Sequence, residues 1–126
     1  MLTPIQTSDA PAAIGPYSQA VRYGNLIFTS GQIALDPKTG EMVGDDLKTQ
    51  AHRVMQNLGA VLQASGTGFD KVIKTTCFLA DMADFADFNE VYVQYFKNSK
   101  AARSCIAARA LPKGALCEVE AIAGAE

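Results

Sequence analysis

Between residues 46 and 64 the apolar side chains fall at Leu47, Ala51, Val54, Leu58, Val61 and Leu62. These three- and four-residue steps mark one face of an α-helix. Asp45 stands in front as an N-cap and Gly66 behind as a terminator. Phe85, Phe88, Val91, Tyr92 and Tyr95 repeat the helical period behind an Asp84 cap. Elsewhere the pattern shortens to strands. Residues 17–32, YSQAVRYGNLIFTSGQ, predict two strands joined at Gly24-Asn25, a dipeptide suited to a tight hairpin turn. KVIKTTCFLA, residues 71–80, is rich in β-branched side chains and reads as a central strand. Two more strands are expected near 103–110 and 115–123, joined as a hairpin by LPKG. DPKTG, residues 36–40, has the chemistry of a turn and lacks the glycines and Lys-Ser/Thr of a phosphate loop.

The order β-β-α-β-α-β-β predicts an α+β domain, with a single mixed sheet and two helices on one face. The other face then needs cover. In the strand from Val72 to Ala80 one parity carries Ile73, Thr75, Cys77 and Leu79, and the other Val72, Lys74, Thr76, Phe78 and Ala80. Neither is a clean solvent face, so a second subunit is expected against the open side.

Composition narrows the class. The 126 residues are expected to form one domain, 1–126, and 48% hydrophobic content favours a packed core over disorder. A net charge of −2 with scattered Lys and Arg speaks against nucleic acid as a partner. MLTPIQTSDAPAA has no charged n-region or apolar h-region, and no apolar run reaches membrane length, so a cytoplasmic protein without a membrane partner is expected. Cys77, Cys105 and Cys117 are widely spaced and the sole histidine is His52. That set supplies neither a zinc pattern nor a disulfide framework, and three reduced thiols are expected. His52 reads as a solvated or partly buried helix residue.

The chemistry concentrates near "AARSC", residues 101–105. An arginine does not shed its charge, so Arg103 on a buried strand requires an anionic partner. If residue 110 pairs with 115 across LPKG, Ser104, Ile106 and Ala108 join Cys117, Val119 and Ala121 on a small apolar face under the helices. The opposite face then sets Cys105 across from Glu120, Ala107 across from Glu118, and Arg103 diagonal to Glu120. Two readings stay open. The pair is an ion pair that fixes subunit register, or Arg103 forks onto a small carboxylate while Glu120 handles protons beside it. Glu118 shares the parity of Glu120, which suggests a carboxylate pair, but it reads first as a rim charge or ion-pair partner. Tyr92, Tyr95 and Phe96 suggest a base-stacking platform, yet their helical spacing reads as core.

Several segments together resemble the RidA (reactive intermediate deaminase A) family. They are "APAAIGPYSQA" (10–20), "SGQI" (30–33), "VIKTTCFLADMADFADFNEVY" (72–92), "ARSC" (102–105) and "CEVEAIA" (117–123). The resemblance implies a chorismate-mutase-like fold, assembled as a homotrimer with clefts between subunits. It implies hydrolysis of 2-imino acids, the tautomers of enamines released by PLP-dependent dehydratases, to 2-keto acids and ammonia, without metal or organic cofactor. By the same resemblance Arg103 clamps the substrate carboxylate, the backbone at Cys105 contacts the ligand, and Glu120 positions the attacking water. Tyr17, Ser30, Gly31, Phe85 and Asn89 would line the cleft. An iminium carbon is already electrophilic, and Cys105 has no partnering base, so no covalent thiolate step is expected. Ala101 stands where the family usually has proline. Ala107 replaces a frequent polar or acidic residue, and Arg109 is displaced by one. The alternative is a keto-acid-binding regulatory or interaction module without turnover. A ribonuclease or translation-inhibitor role, also attached to the family, fits the acidic composition poorly.

Overall fold

The computed structural model describes residues 1–125. Six strands and two α-helices appear in the order β1 (Leu2–Ile5), β2 (Ala20–Tyr23), β3 (Leu26–Thr29), α1 (Leu47–Ala64), β4 (Val72–Leu79), α2 (Phe85–Tyr95), β5 (Ala102–Ala107) and β6 (Cys117–Gly124). They form one mixed sheet, ordered β1-β2-β3-β6-β4-β5, with both helices on one face. The α+β architecture therefore matches the expectation from the pattern. β1 is an addition that the sequence reading missed, because Leu-Thr-Pro-Ile is four residues long and interrupted by a proline.

α1 buries Leu47, Ala51, Val54, Met55, Leu58, Val61 and Leu62 against the sheet. Its cap is Asp46 rather than Asp45: Asp46 has extended backbone and accepts from the Thr49 amide at 3.0 Å. At the other end Gly66 takes φ +81°, a left-handed turn that glycine adopts without strain, and Thr67 N–H returns to the Leu62 carbonyl. Asp84 precedes α2 but makes no side-chain cap. Asp81 instead accepts from the Ala83 amide and starts the short 3₁₀ turn Met82–Asp84.

β6 shows the period-two logic most plainly. Cys117, Val119, Ala121 and Ala123 are buried beneath the helices, while Glu118, Glu120, Ile122 and Gly124 face the other way and are half-buried. In β4, Thr75, Cys77 and Leu79 point inward, and a register shift between Val72 and Lys74 turns Val72 inward as well. This bulge explains why neither parity of β4 read as clean.

The last two strands correct the sequence reading. β5 and β6 are not a hairpin. β6 runs antiparallel between β3 and β4, and β5 lies parallel to β4 at the sheet edge. The segment after β5 crosses over rather than turning back: Ala108 N–H bonds to Leu79 O, and Pro112–Gly114 form a 3₁₀ turn in which Lys113 has φ 56°. The faces change accordingly. Ser104 and Ile106 lie on the open side rather than under the helices, in the rows Ser104–Thr76–Glu120 and Ile106–Phe78–Glu118. Arg103 instead shares a row with Thr75 and Ala121.

The sheet face away from the helices is not covered by this chain. Leu2, Tyr23, Leu26, Phe28 and Ile106 are each at least 38% exposed, with Ile122 and Phe78 half-buried among them. Among the described residues no helix is long and apolar enough to cross a membrane.

Candidate active site

Arg103 is held on the helix side of the sheet edge by one stripe of α2. Phe85, Asn89 and Tyr92 stand at i, i+4 and i+7 on that helix, so all three face β5. The guanidinium Nη1 donates to Asn89 Oδ1 at 2.7 Å. Its Cζ lies 4.8 Å from the Tyr92 ring centroid and 5.4 Å from that of Phe85, both within cation–π range. No carboxylate among the described residues pairs with it; the only ion pairs there join Lys48 to Asp87 and Glu90. A cavity of about 400 Å³ beside it is lined by Asn89, Tyr92, Phe96, Lys100 and Arg103.

Cys105 shares the row of Cys77 and Val119 and is half-buried. Burial pushes its thiol up, against a downward pull from Arg103. Cys77 and Cys117 are buried, and desolvation pushes both to about 12. All three thiols are free in this structure. None is poised as a nucleophile.

Tyr17, Ser30 and Gly31 gather at a different place. They line a cleft of about 480 Å³ together with Ile14, Lys113 and Glu118. Ser30 Oγ donates to the Ser18 carbonyl at 2.6 Å, and Gln32 bridges to Val119 by backbone hydrogen bonds of 2.9 and 3.1 Å. These bonds press the 30–32 segment onto β6. Gly31 leaves room for the Glu118 side chain, since a Cβ there would overlap Glu118 Oε2 and stand 2.8 Å from its Cδ, so that the carboxylate would have to move.

Glu118, weighed in the sequence as a rim charge or ion-pair partner, is half-buried. It lines the cleft and has no ionic partner among the described residues. Burial, with a smaller contribution from the neighbouring Glu120 charge, raises its carboxyl above the ordinary range. Glu120 is not among the cleft-lining residues. It sits at mid-sheet on the open face, beside Thr76.

Neither reading of an Arg103–Glu120 pair within one chain survives. The two residues project from opposite faces, on strands separated by β4, a lateral gap of about 10 Å. The expectation failed because loop length suggested a hairpin, whereas β4 takes the place between the two strands. The candidate residues thus form two groups in one protomer. Phe85, Asn89, Arg103 and Cys105 lie at the edge next to α2, and Tyr17, Ser30, Gly31 and Glu118 lie in the cleft. Tyr92 belongs to the first group, and its helical spacing with Phe85 and Asn89 was the signal that could have found it.

His52 is half-buried with Nδ1 3.0 Å from Tyr95 Oη, apart from both groups. Tyr92, Tyr95 and Phe96 pack with Phe69 and Phe88 as an aromatic cluster, in keeping with the core reading.

Comparison with known proteins places this arrangement. The profile described as Endoribonuclease L-PSP matches residues 7–125. The chain is 48% identical over 122 residues to the RutC family protein y4sK of Sinorhizobium fredii, covering 97% of each. It is 49% identical over 119 residues to the 2-iminobutanoate/2-iminopropanoate deaminase of Mus musculus, covering 94% of this chain and 88% of that one. The crystal structure of E. coli TdcF with bound serine superposes with a TM-score of 0.93 at 42% identity, covering 98% of this chain and 99% of that one. Two helices on a mixed sheet, matched along nearly the whole length by sequence and by shape, make this chain a member of the endoribonuclease L-PSP family, to which its RidA-like motifs also point.

Proposed function

We propose that the protein hydrolyses small 2-imino acids to 2-keto acids and ammonia, in a site completed between protomers of a homotrimer. The observation that carries this reading is Arg103: a half-buried guanidinium, aligned by Asn89 and two aromatic rings, without a carboxylate partner among the described residues. Such a group calls for an external anion of carboxylate shape. The separation of the two residue groups supports an intersubunit site, because Arg103 of one protomer would meet Glu118 of the next. The uncovered apolar sheet face supports an assembly that brings them together.

In this site the Arg103 fork holds the substrate carboxylate and fixes C2 of the iminium in the cleft. Glu118 takes a proton from water as its oxygen bonds to C2, giving a carbinolamine. The same carboxyl then protonates the amino group. The C–N bond breaks, ammonia departs, and loss of the hydroxyl proton leaves the keto acid. Glu118 lines the cleft and Glu120 does not, and burial makes the Glu118 carboxyl hold a proton more readily than a solvated one; the proton role that the resemblance gave to Glu120 therefore goes to Glu118 in this reading. Serine and threonine dehydratases that depend on PLP are the matching source of substrate.

The test is release of 2-oxobutanoate and ammonia from imine generated by a threonine dehydratase, with size measurement of the 13.4 kDa chain. Acceleration by wild type, its loss in Arg103→Ala, and a trimeric mass are expected. Equal rates for wild type and Arg103→Ala overturn the reading. Keto-acid binding without acceleration supports the regulatory-module alternative instead. Ribonuclease chemistry draws no support from an acidic chain with a pI near 5.3.

A further inference from the structure

Arg103 carries the proposed substrate clamp, yet its one side-chain hydrogen bond among the described residues is too little to orient it. A single bond from Nη1 to Asn89 leaves the guanidinium plane free to swing about that contact. A bidentate clamp works only when the plane is fixed. Two rings lie beside it. Tyr92 lies 4.8 Å from Arg103 Cζ, closer than Phe85 at 5.4 Å.

Tyr92 is itself held on three sides. Its hydroxyl is 2.7 Å from Thr75 Oγ1, and its ring stacks on Phe96 at 4.6 Å and 24° and leans on Phe88 at 5.8 Å. Thr75 is fully buried and stands directly beside Arg103 in the β4–β5 register. One sheet row and one helix stripe therefore converge: Thr75 anchors the phenol, and the phenol ring backs the guanidinium. Valine has nearly the shape of threonine, so packing alone does not call for a hydroxyl at fully buried Thr75, within hydrogen-bond reach of a tyrosine.

We infer that Tyr92, pinned by Thr75, is a positioning residue that holds the Arg103 guanidinium in the plane a carboxylate requires. Its effect on turnover rests on the function proposed above; the orientation of Arg103 does not.

The experiment therefore reads both. Arg103 Nε–H is followed by NMR in wild type, Tyr92→Leu, Tyr92→Phe and Thr75→Val, and each protein is titrated with 2-oxobutanoate and assayed for imine hydrolysis. Wild type is expected to show a dispersed, rigid Arg103 signal. Tyr92→Leu should average that signal and weaken 2-oxobutanoate binding and KM on the order of tenfold, with kcat within about twofold, because the ring beside the guanidinium and its bond to Thr75 are lost together while no group at the reacting carbon changes. Tyr92→Phe should restore most of the affinity, and Thr75→Val should match Tyr92→Phe, since both delete the same hydrogen bond. If Tyr92→Leu does not fold, those two variants still report: a loosened Arg103 signal in both supports the inference, and a signal as rigid as wild type in both overturns it. A Tyr92→Leu protein with rigid Arg103 and unchanged affinity also overturns it, as does a loss confined to kcat. Should wild type bind no 2-oxobutanoate, the imine reading falls while the NMR comparison still decides the role of Tyr92.

Discussion

Replacing Gly31 by alanine tests which glutamate does the chemistry. The position needs glycine for space, not for backbone freedom, since its φ is outside the left-handed region. An added Cβ would overlap Glu118 Oε2, stand 2.8 Å from Cδ and 3.0 Å from Cγ. Three consecutive atoms are involved, so rotating the carboxylate alone does not relieve the contact, and the whole side chain must leave its position. The backbone at 31 has little room to retreat, because Gln32 is bonded to Val119 in both directions. Overpacking of this kind costs about 1–3 kcal/mol when the neighbours are rigid, and the low end applies here because Glu118 is half-buried. The catalytic cost should be larger. Displacing a reacting group by about 1 Å reduces turnover on the order of 100-fold. Gly31→Ala should therefore remain folded, with a small loss in thermal midpoint, and should match Glu118→Gln in a coupled keto-acid assay. Glu120→Gln should stay far more active than either. Adding Glu118→Asp to Gly31→Ala withdraws the side chain by one methylene and should recover part of the activity. Wild-type kcat in Gly31→Ala, or equal loss in Glu120→Gln, would refute the assignment of Glu118.

Other outcomes follow from the same geometry. Arg103→Lys keeps the charge but loses the planar fork, and should raise KM for the imine about 10- to 100-fold, the range of one charged hydrogen bond, as measured by initial rates. Glu118→Gln should raise the thermal midpoint at pH 7–8 and lose that advantage toward pH 4, as read by thermal melts across pH. The sign is set by the raised carboxyl: the folded chain holds this proton more tightly than the unfolded chain, so the group's contribution is full below the unfolded value and is lost as pH rises through the folded one. In native protein at pH 8 iodoacetamide should modify Cys105 alone, with Cys77 and Cys117 reacting only after unfolding, as mass spectrometry would show; their burial and values of about 12 keep them neutral.

The sequence by itself determined the periods. The α1 stripe from Leu47 to Leu62, the α2 stripe and the alternation in CEVEAIA each name a buried face, because a helix or strand sorts its side chains by fixed geometry whatever surrounds it. The importance of Arg103 was also legible, since a permanent charge within an apolar strand demands a partner. Tertiary structure alone decided what stands beside what. Strand order depends on which edges bury the most apolar surface together, and that sum is not written in any loop. Threading β6 between β3 and β4 moved Glu120 away from Arg103, brought Glu118 against Gly31, and set Thr75 and Tyr92 behind the guanidinium. Parity along a strand is local; adjacency across a sheet is a property of the whole chain.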